Sequence, residues 1–261
     1  MTRILVEVCV DSVESAIAAV NGGADRLELC GNLGLGGGTT PSIGSYRAVR
    51  KAAKDVPIMV MIRPRTGDFL YSMHEQQVML DDIAQFKAEG AMGVVFGALS
   101  KEGDVDIGTT IRLLAAARPM EVCFHRAIDM TLDPVEAFRA LKAIPGITRV
   151  LTSGHSERAP SERSLEILKT FFEMNSTNAH SSFKPSILPG SGINPKTIGT
   201  VMDALLPLGL REVHLSAGAW LASEMIHKPE GMGMGVGGEG EWGIWRTKEH
   251  VVRAVRQAVD D

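Results

Sequence analysis

Two short apolar runs near the start of the sequence each carry a glutamate two residues before a cysteine. The run I-L-V-E-V-C-V holds Glu7 and Cys9, and the run L-E-L-C holds Glu28 and Cys30. Carboxylates are candidates for proton transfer, and thiols are candidate nucleophiles or ligands of a soft metal ion. Side chains two positions apart on a strand point to the same face. If both runs are buried parallel strands covered by helices on the outside, these four side chains face the interior of a closed barrel.

Other polar residues lie where later apolar runs end. Arg63 and Arg65 close the run V-M-I-R-P-R, and His125 and Asp129 lie in F-H-R-A-I-D. The remaining candidates are Ser153, Gly190, Ser191, Gly192, His214 and Ser216. In a barrel of parallel strands the active face is the C-terminal end of the strands. We therefore expect these residues to meet at one mouth.

Residue type divides the candidates by role. The candidate catalytic residues are those that can transfer a proton: Glu7, Glu28, His125 and Asp129. The candidate anion-binding residues are Arg63, Arg65, His214, Ser153, Gly190, Ser191, Gly192 and Ser216. Backbone amides in glycine-rich turns after the seventh and eighth strands often bind phosphate or carboxylate in barrels. The sequence therefore predicts an anion site there, assisted by one of the two arginines.

Each candidate also has a purely structural interpretation. A buried glutamate such as Glu28 can simply pair with an arginine such as Arg63. Cysteines often serve as small hydrophobic residues in protein cores. Met232 and Met234 could be thioether ligands, but a solvated loop is the favoured interpretation of their segment. These alternatives remain open at the level of sequence.

The chain repeats one unit, an apolar run followed by a segment with helix-start signals. The predicted strands cover residues 4–10, 25–30, 57–63, 91–97, 120–126, 149–153, 185–190 and 211–216. Helix starts are predicted at Asp11, Thr40, Ser72, Asp133 and Asn194, from capping-box spacing or a cap residue before proline. Eight such units predict a single (β/α)8 barrel over residues 1–261.

Two features complete the predicted architecture. A doubly wound open sheet is the alternative fold, but no G-x-G-x-x-G follows the first strand. The segment around residues 225–246 is rich in glycine and methionine, so we expect a mobile loop before a last helix over 247–259.

Composition excludes several function classes. The 261 residues carry a net charge of -4 with no basic stripe, which makes nucleic acid an unexpected partner. We see no cleavable signal at Met1 and no apolar run long enough to cross a bilayer, so we expect a cytoplasmic protein without membrane contact. Three cysteines in a reducing compartment argue against a disulfide framework.

Seven ordered motifs between Glu7 and about Trp220 resemble the CutC family, the copper homeostasis proteins. They are E-V-C-V-D-S, G-G-A-D-R-L-E-L-C, G-G-T-T-P-S, V-M-I-R-P-R-T-G-D-F-L-Y-S, H-R-A-I-D, R-V-L-T-S-G and E-V-H-L-S-A-G-A-W. Two departures from the family pattern are Cys123, where threonine is more frequent, and G-S-G at the seventh strand.

The resemblance implies a TIM barrel, a cytoplasmic homodimer or homotetramer, and a role in copper homeostasis. It also implies Cu(I) binding through Cys9 and Cys30. Cu(I) prefers thiolates, and cysteines on adjacent strands can share an ion if barrel stagger leaves them at one height. Cys123, on the fifth strand, is expected across the lumen.

Three hypotheses from different classes remain. The protein is a Cu(I)-binding homeostasis protein, an enzyme acting on a small anionic metabolite, or a scaffold whose mouth has no ligand. In the enzyme hypothesis His125 or a glutamate transfers a proton, while Arg63 and Arg65 hold the anion.

Overall fold

Eight parallel strands form the centre of the fold, which we describe from a computed structural model covering residues 3–177 and 184–261. The expectation about a signal at Met1 lies outside the described residues. The strands are β1 (Leu5–Val10), β2 (Arg26–Leu29), β3 (Ile58–Met61), β4 (Gly93–Phe96), β5 (Glu121–Phe124), β6 (Arg149–Thr152), β7 (Ser186–Pro189) and β8 (Glu212–Leu215). All eight lie within the predicted ranges.

The strands follow one another around a barrel in chain order. Each pairs in parallel with its sequence neighbour from β1 to β7, and β1 pairs with β8. β7 also contacts β8, so the sheet is nearly closed. The helices are α1 (Val13–Asn21), α2 (Ile43–Ala52), α3 (Met73–Ala88), α4 (Ile107–Ala117), α5 (Pro134–Lys142), α6 (Glu162–Thr177), α7 (Ile198–Leu205) and α8 (Glu249–Asp260). The (β/α)8 barrel is confirmed.

Local capping explains where the helices begin. At α3 the Ser72 hydroxyl accepts from the Glu75 amide and the Glu75 carboxylate accepts from the Ser72 amide, which is the predicted capping box. At α5 Asp133 caps a helix whose first residue is Pro134, also as predicted. Three predicted starts are wrong by one to three residues. Ser12 and Ser42 cap α1 and α2, and α7 begins at Ile198.

The alternation of side chains separates two apolar layers. Outward-facing strand residues such as Val8 and Phe96 pack under the helices in the larger core. Inward-facing residues fill the lumen with a smaller cluster of Cys30, Met59, Met61, Val95, Cys123, Leu151 and Leu188. Glutamate, arginine and histidine side chains on the strands also point inward, above and below this cluster. The predicted strand residues Glu7, Glu28 and His214 therefore face the lumen, because helices cover the outer face of the barrel.

A two-stranded hairpin follows the barrel and was not predicted. β9 (Gly218–Leu221) pairs antiparallel with β10 (Ile244–Thr247). The Trp220 and Trp245 rings meet edge to face with centroids 5.4 Å apart. The glycine-rich segment therefore ends in a strand at residue 244, and α8 begins at Glu249 rather than 247. No helix among the described residues is long and apolar enough to cross a bilayer.

Candidate functional site

A cavity of about 750 Å³ opens at the C-terminal end of the barrel strands. It is lined by residues from the strand ends, from the loops that follow them and from the β9–β10 hairpin. The predicted site residues in its lining are Cys9, Glu28, Arg63, His125, Ser191, Gly192, His214 and Ser216. One mouth therefore collects most of the predicted candidates, as sequential parallel strands require.

Glu7 lies one layer below the cavity as a buried counter-ion. It sits opposite Arg26 on β2 and His214 on β8. Arg26 donates to Glu7 through Nε and to Glu212 through Nη2, and its side chain is only 4% exposed. Burial alone would raise the pKa of Glu7, but Arg26 and His214 lower it to about 2. Glu7 is therefore ionised and holds the imidazole above it.

Three chemically different donors converge on the floor of the cavity. The Cys9 sulfur, a Glu28 oxygen and a His214 ring nitrogen all lie within 4.8 Å of one another. His214 Nδ1 is 2.7 Å from Glu7 Oε1, and its Nε2 is 3.8 Å from Glu28 Oε2. Burial lowers the pKa of His214, but its contacts with Cys9 and with the two carboxylates raise it well above its usual value. This cluster has the donors for a metal ion, which would displace the imidazole and thiol protons.

The strand register decides which groups face each other. Cys9 lies opposite Glu28, so Cys30 is two residues further toward the mouth end of β2. The Cys30 thiol donates to Glu28 Oε2 at 3.6 Å. Burial raises the pKa of both thiols, and Glu28 adds to the rise at Cys30. The Glu28 carboxylate therefore lies next to two neutral thiols.

Glu28 is the carboxylate of this group that can change protonation near neutral pH. Burial raises its pKa to about 7, and the positive charge of His214 only partly opposes that rise. Its Oε1 atom is buried and has no hydrogen-bond partner among the described residues. A carboxyl group with a pKa near 7 can accept or donate a proton, or bind a metal once ionised.

His125 contributes a ring with a defined tautomer. Its Nδ1 accepts a hydrogen bond from the Ala127 amide at 3.2 Å, which leaves the ring proton on Nε2. Burial, assisted by the positive charge of Arg63, lowers the pKa of His125 to about 3. The ring packs on Phe69 with centroids 4.8 Å apart. His125 is therefore a neutral hydrogen-bond donor at physiological pH rather than a proton acceptor.

The two predicted anion-binding arginines have different positions. Arg63 lines the cavity, but its Nη1 donates to the carbonyls of Gly36 and Gly38 at 2.7 and 3.0 Å. Its Nη2 donates to the Gly67 carbonyl at 2.9 Å, so Arg63 ties two mouth loops together. Arg65 lies outside the cavity lining. It pairs there with the carboxylates of α3 and its preceding loop.

Asp129 organises the loop after β6. Its two oxygens accept from the Arg126 guanidinium and Thr152 hydroxyl, from both the amide and hydroxyl of Ser153, and from the His155 amide. Neither Asp129 nor Ser153 lines the cavity. Their hydrogen-bonding capacity is used to fix the loop, which positions Arg126 at the cavity wall.

The turns after β7 and β8 continue the wall of the cavity. Ser191 and Gly192 both have φ of +73°, and Ser216 to Gly218 continue the wall toward the hairpin. The Ser191 hydroxyl donates to the Glu157 carbonyl at 2.7 Å. Gly190 packs against His214 instead of lining the cavity, since a Cβ there would lie 3.2 Å from the His214 Cβ.

Comparison with known proteins identifies the family. The model of the CutC family matches residues 4–219. The chain belongs to the CutC family. A CutC family protein of Chromobacterium violaceum is 38% identical over 260 residues, which cover 100% of this chain and 99% of that one. A human protein called copper homeostasis protein cutC homolog is 42% identical over 88% of this chain and 80% of its own.

A solved structure supports the same fold for the family. The crystal structure of CutC from Streptococcus agalactiae superposes with a TM-score of 0.71 at 27% identity, and the match covers 82% of this chain and 98% of that one.

Several residues of this CutC site were missed from sequence. Arg26 lies two positions before Glu28 on the same strand, so parity could have placed it in the lumen. Arg158 and Lys248 line the cavity from loops, where no periodicity applies. Trp245 also lines it, because the unpredicted hairpin brings it there.

Gly97 provides a test of how tightly the His125 ring is held. A Cβ at Gly97 would lie 2.6 Å from His125 Nδ1 and 2.9 Å from the Ala127 Cβ. We expect Gly97→Ala to lower the free energy of unfolding by about 1–3 kcal/mol, because the ring must leave its site. Urea unfolding at neutral pH measures this. Gly199→Ala on α7 is the control, since nothing lies within 4 Å of that Cβ. A variant at Gly97 as stable as wild type would contradict the tight packing.

Proposed function

We propose that this chain acts in copper homeostasis by binding Cu(I) at the barrel mouth through Cys9 and Cys30, with His214 as a further donor. The observation that carries this proposal is the convergence of Cys9, Glu28 and His214 donor atoms within 4.8 Å at the cavity floor. The copper role is carried over from relatives such as the human protein named for copper homeostasis.

The donor set fits a soft monovalent ion. Thiolate sulfur and imidazole nitrogen are ligands that Cu(I) accepts, whereas carboxylate oxygen suits harder ions. The Cys30 sulfur lies 3.6 Å from Glu28 Oε2, and Cys9 lies opposite Glu28 in the strand register. Both thiols therefore lie next to the same carboxyl group. Protonation of that group leaves sulfur and nitrogen as the better donors.

A competition titration with a Cu(I) chelator tests the proposal. We expect reduced protein to bind about one Cu(I) per chain and little Zn(II). Cys9→Ala and Cys30→Ala should each weaken Cu(I) binding by about tenfold or more, because each removes a soft donor. Cys123→Ala is the matched control, since Cys123 is an equally buried lumen thiol on β5. Equal affinities of wild type and the double alanine variant would make the cysteines core packing only.

The cytoplasmic location, expected from the sequence and from the family resemblance, and the homodimer or homotetramer that the resemblance implies stay predictions.

A further inference from the structure

The cavity contains a buried hydrogen-bond donor that the chain itself does not use. His125 is 4% exposed, lines the cavity, and its Nε2 has no partner among the described residues. Its ring cannot turn freely, because Nδ1 accepts from the Ala127 amide and Phe69 packs against one side. An unmade buried hydrogen bond costs about 1–3 kcal/mol. The donor is therefore held in place for an acceptor from outside the chain.

The lining of the cavity is predominantly positive. Besides His214, four arginine and lysine side chains reach it, and Glu28 is the one carboxylate among the lining residues of the described chain. They are Arg63, Arg126, Arg158 and Lys248. Arg63 is bonded to backbone carbonyls and Arg126 to Asp129. Within residues 3–177 and 184–261, Arg158 and Lys248 form no ion pair, so their charge is free to act on a ligand.

The size of the cavity points to an organic ligand. At about 750 Å³ it lies within the range of small-molecule sites and far exceeds the space that one metal ion needs. Phe69, Met130, Leu151 and Trp245 supply apolar surface between the polar groups. Mostly apolar walls with a few fixed polar groups are typical of sites that bind small molecules.

We propose that the cavity binds a small organic anion that carries a carboxylate or phosphate group. One of its oxygens accepts from His125 Nε2, and Arg158 and Lys248 balance its charge. These three residues lie outside the Cys9, Glu28 and His214 cluster of the copper proposal, although both groups line the same cavity. This site would supply the ligand that the enzyme hypothesis needs, with Glu28 in the same cavity.

Inorganic phosphate and malonate are suitable probes, because they present the two anionic groups separately. We would titrate each into reduced, metal-free full-length protein and follow the thermal midpoint and the ring signals of 15N-labelled histidine. The expected result is a rise of the midpoint with at least one probe, together with a shift of the His125 Nε2 signal. The probe that binds more tightly identifies the anionic group.

Two variants test the His125 hydrogen-bond donor and the two cationic side chains separately. His125→Asn keeps an acceptor near the Ala127 amide but cannot reach the cavity, so we expect about tenfold weaker binding. His250→Asn, at an exposed position on α8, is its control and should bind as wild type does. The double variant Arg158→Gln with Lys248→Gln should also bind about tenfold more weakly and with less dependence on salt. These two residues lie in loops and make no ion pair, so the variant should fold even if His125→Asn does not.

The probe titrations test anion binding independently of copper binding. Absence of binding by both probes at millimolar concentration would overturn the proposal, as would unchanged binding in both the His125 and the Arg158 and Lys248 variants. The probes are titrated into metal-free protein, so copper binding does not enter the result. A failed Cu(I) titration would therefore leave the anion-binding result unchanged. A failed anion titration would likewise leave the Cu(I) result unchanged.

Discussion

We expect Arg26→Met to lower the free energy of unfolding by about 3–5 kcal/mol, because it removes the buried cation that Glu7 and Glu212 share and leaves them only His214 and Arg149. Arg26 is bonded to Glu7 and Glu212, and all three side chains are 4% exposed or less. Methionine has a similar length but no charge. Urea unfolding at neutral pH measures the difference.

Two further variants show whether charge or packing carries this effect. Adding Glu7→Gln to Arg26→Met should recover part of the loss, because it removes one of the two carboxylates that lost their arginine. Arg47→Met is the control at the surface, where the Arg47 side chain is 66% exposed and pairs with Glu89. Exposed pairs contribute about 0–1 kcal/mol, so its effect should be small. A free energy of unfolding of Arg26→Met within 1 kcal/mol of the wild-type value would show that the charged groups in the lumen are solvated.

The fold could be predicted because its signals are local. Each barrel strand is a short apolar run, and cap residues such as Ser72 and Asp133 mark helix starts within a few positions. The hairpin of β9 and β10 has no such signal. Its two strands are separated by more than twenty glycine-rich residues, and they are held together by the contact of Trp220 with Trp245.

The site was only partly predictable because contacts between strands depend on register. Parity placed Cys9, Glu28 and His214 in the lumen, but sequence could not show that Cys9 lies opposite Glu28 instead of Cys30. The arginines illustrate a second limit. Arg63 and Arg65 are two residues apart, yet one binds loop carbonyls at the mouth and the other pairs with α3. Those partners come from loops whose paths follow from the tertiary fold.

His125 is expected to make the protein sensitive to acid. Burial and the nearby charges of Arg63 and Arg126 lower its pKa from 6.5 to about 3 in the folded state. The unfolded chain therefore binds a proton more readily than the folded one below pH 6.5. The stabilisation that comes from the neutral, buried His125 is fully present above pH 6.5. It is lost as the pH falls toward 3. At pH 4 this loss should amount to about 3 kcal/mol.

Comparison of wild type with His125→Asn isolates this contribution. Glu7 and Glu28 also titrate over parts of this range, but they do so in both proteins, so their effects largely cancel in the difference. The variant should be less stable than wild type at pH 7, because its side chain fills the site poorly. Its stability should then fall less steeply, so the two curves approach each other by about 3 kcal/mol between pH 7 and pH 4. Urea unfolding at several pH values gives both curves, and parallel curves would show that His125 takes up a proton without loss of stability.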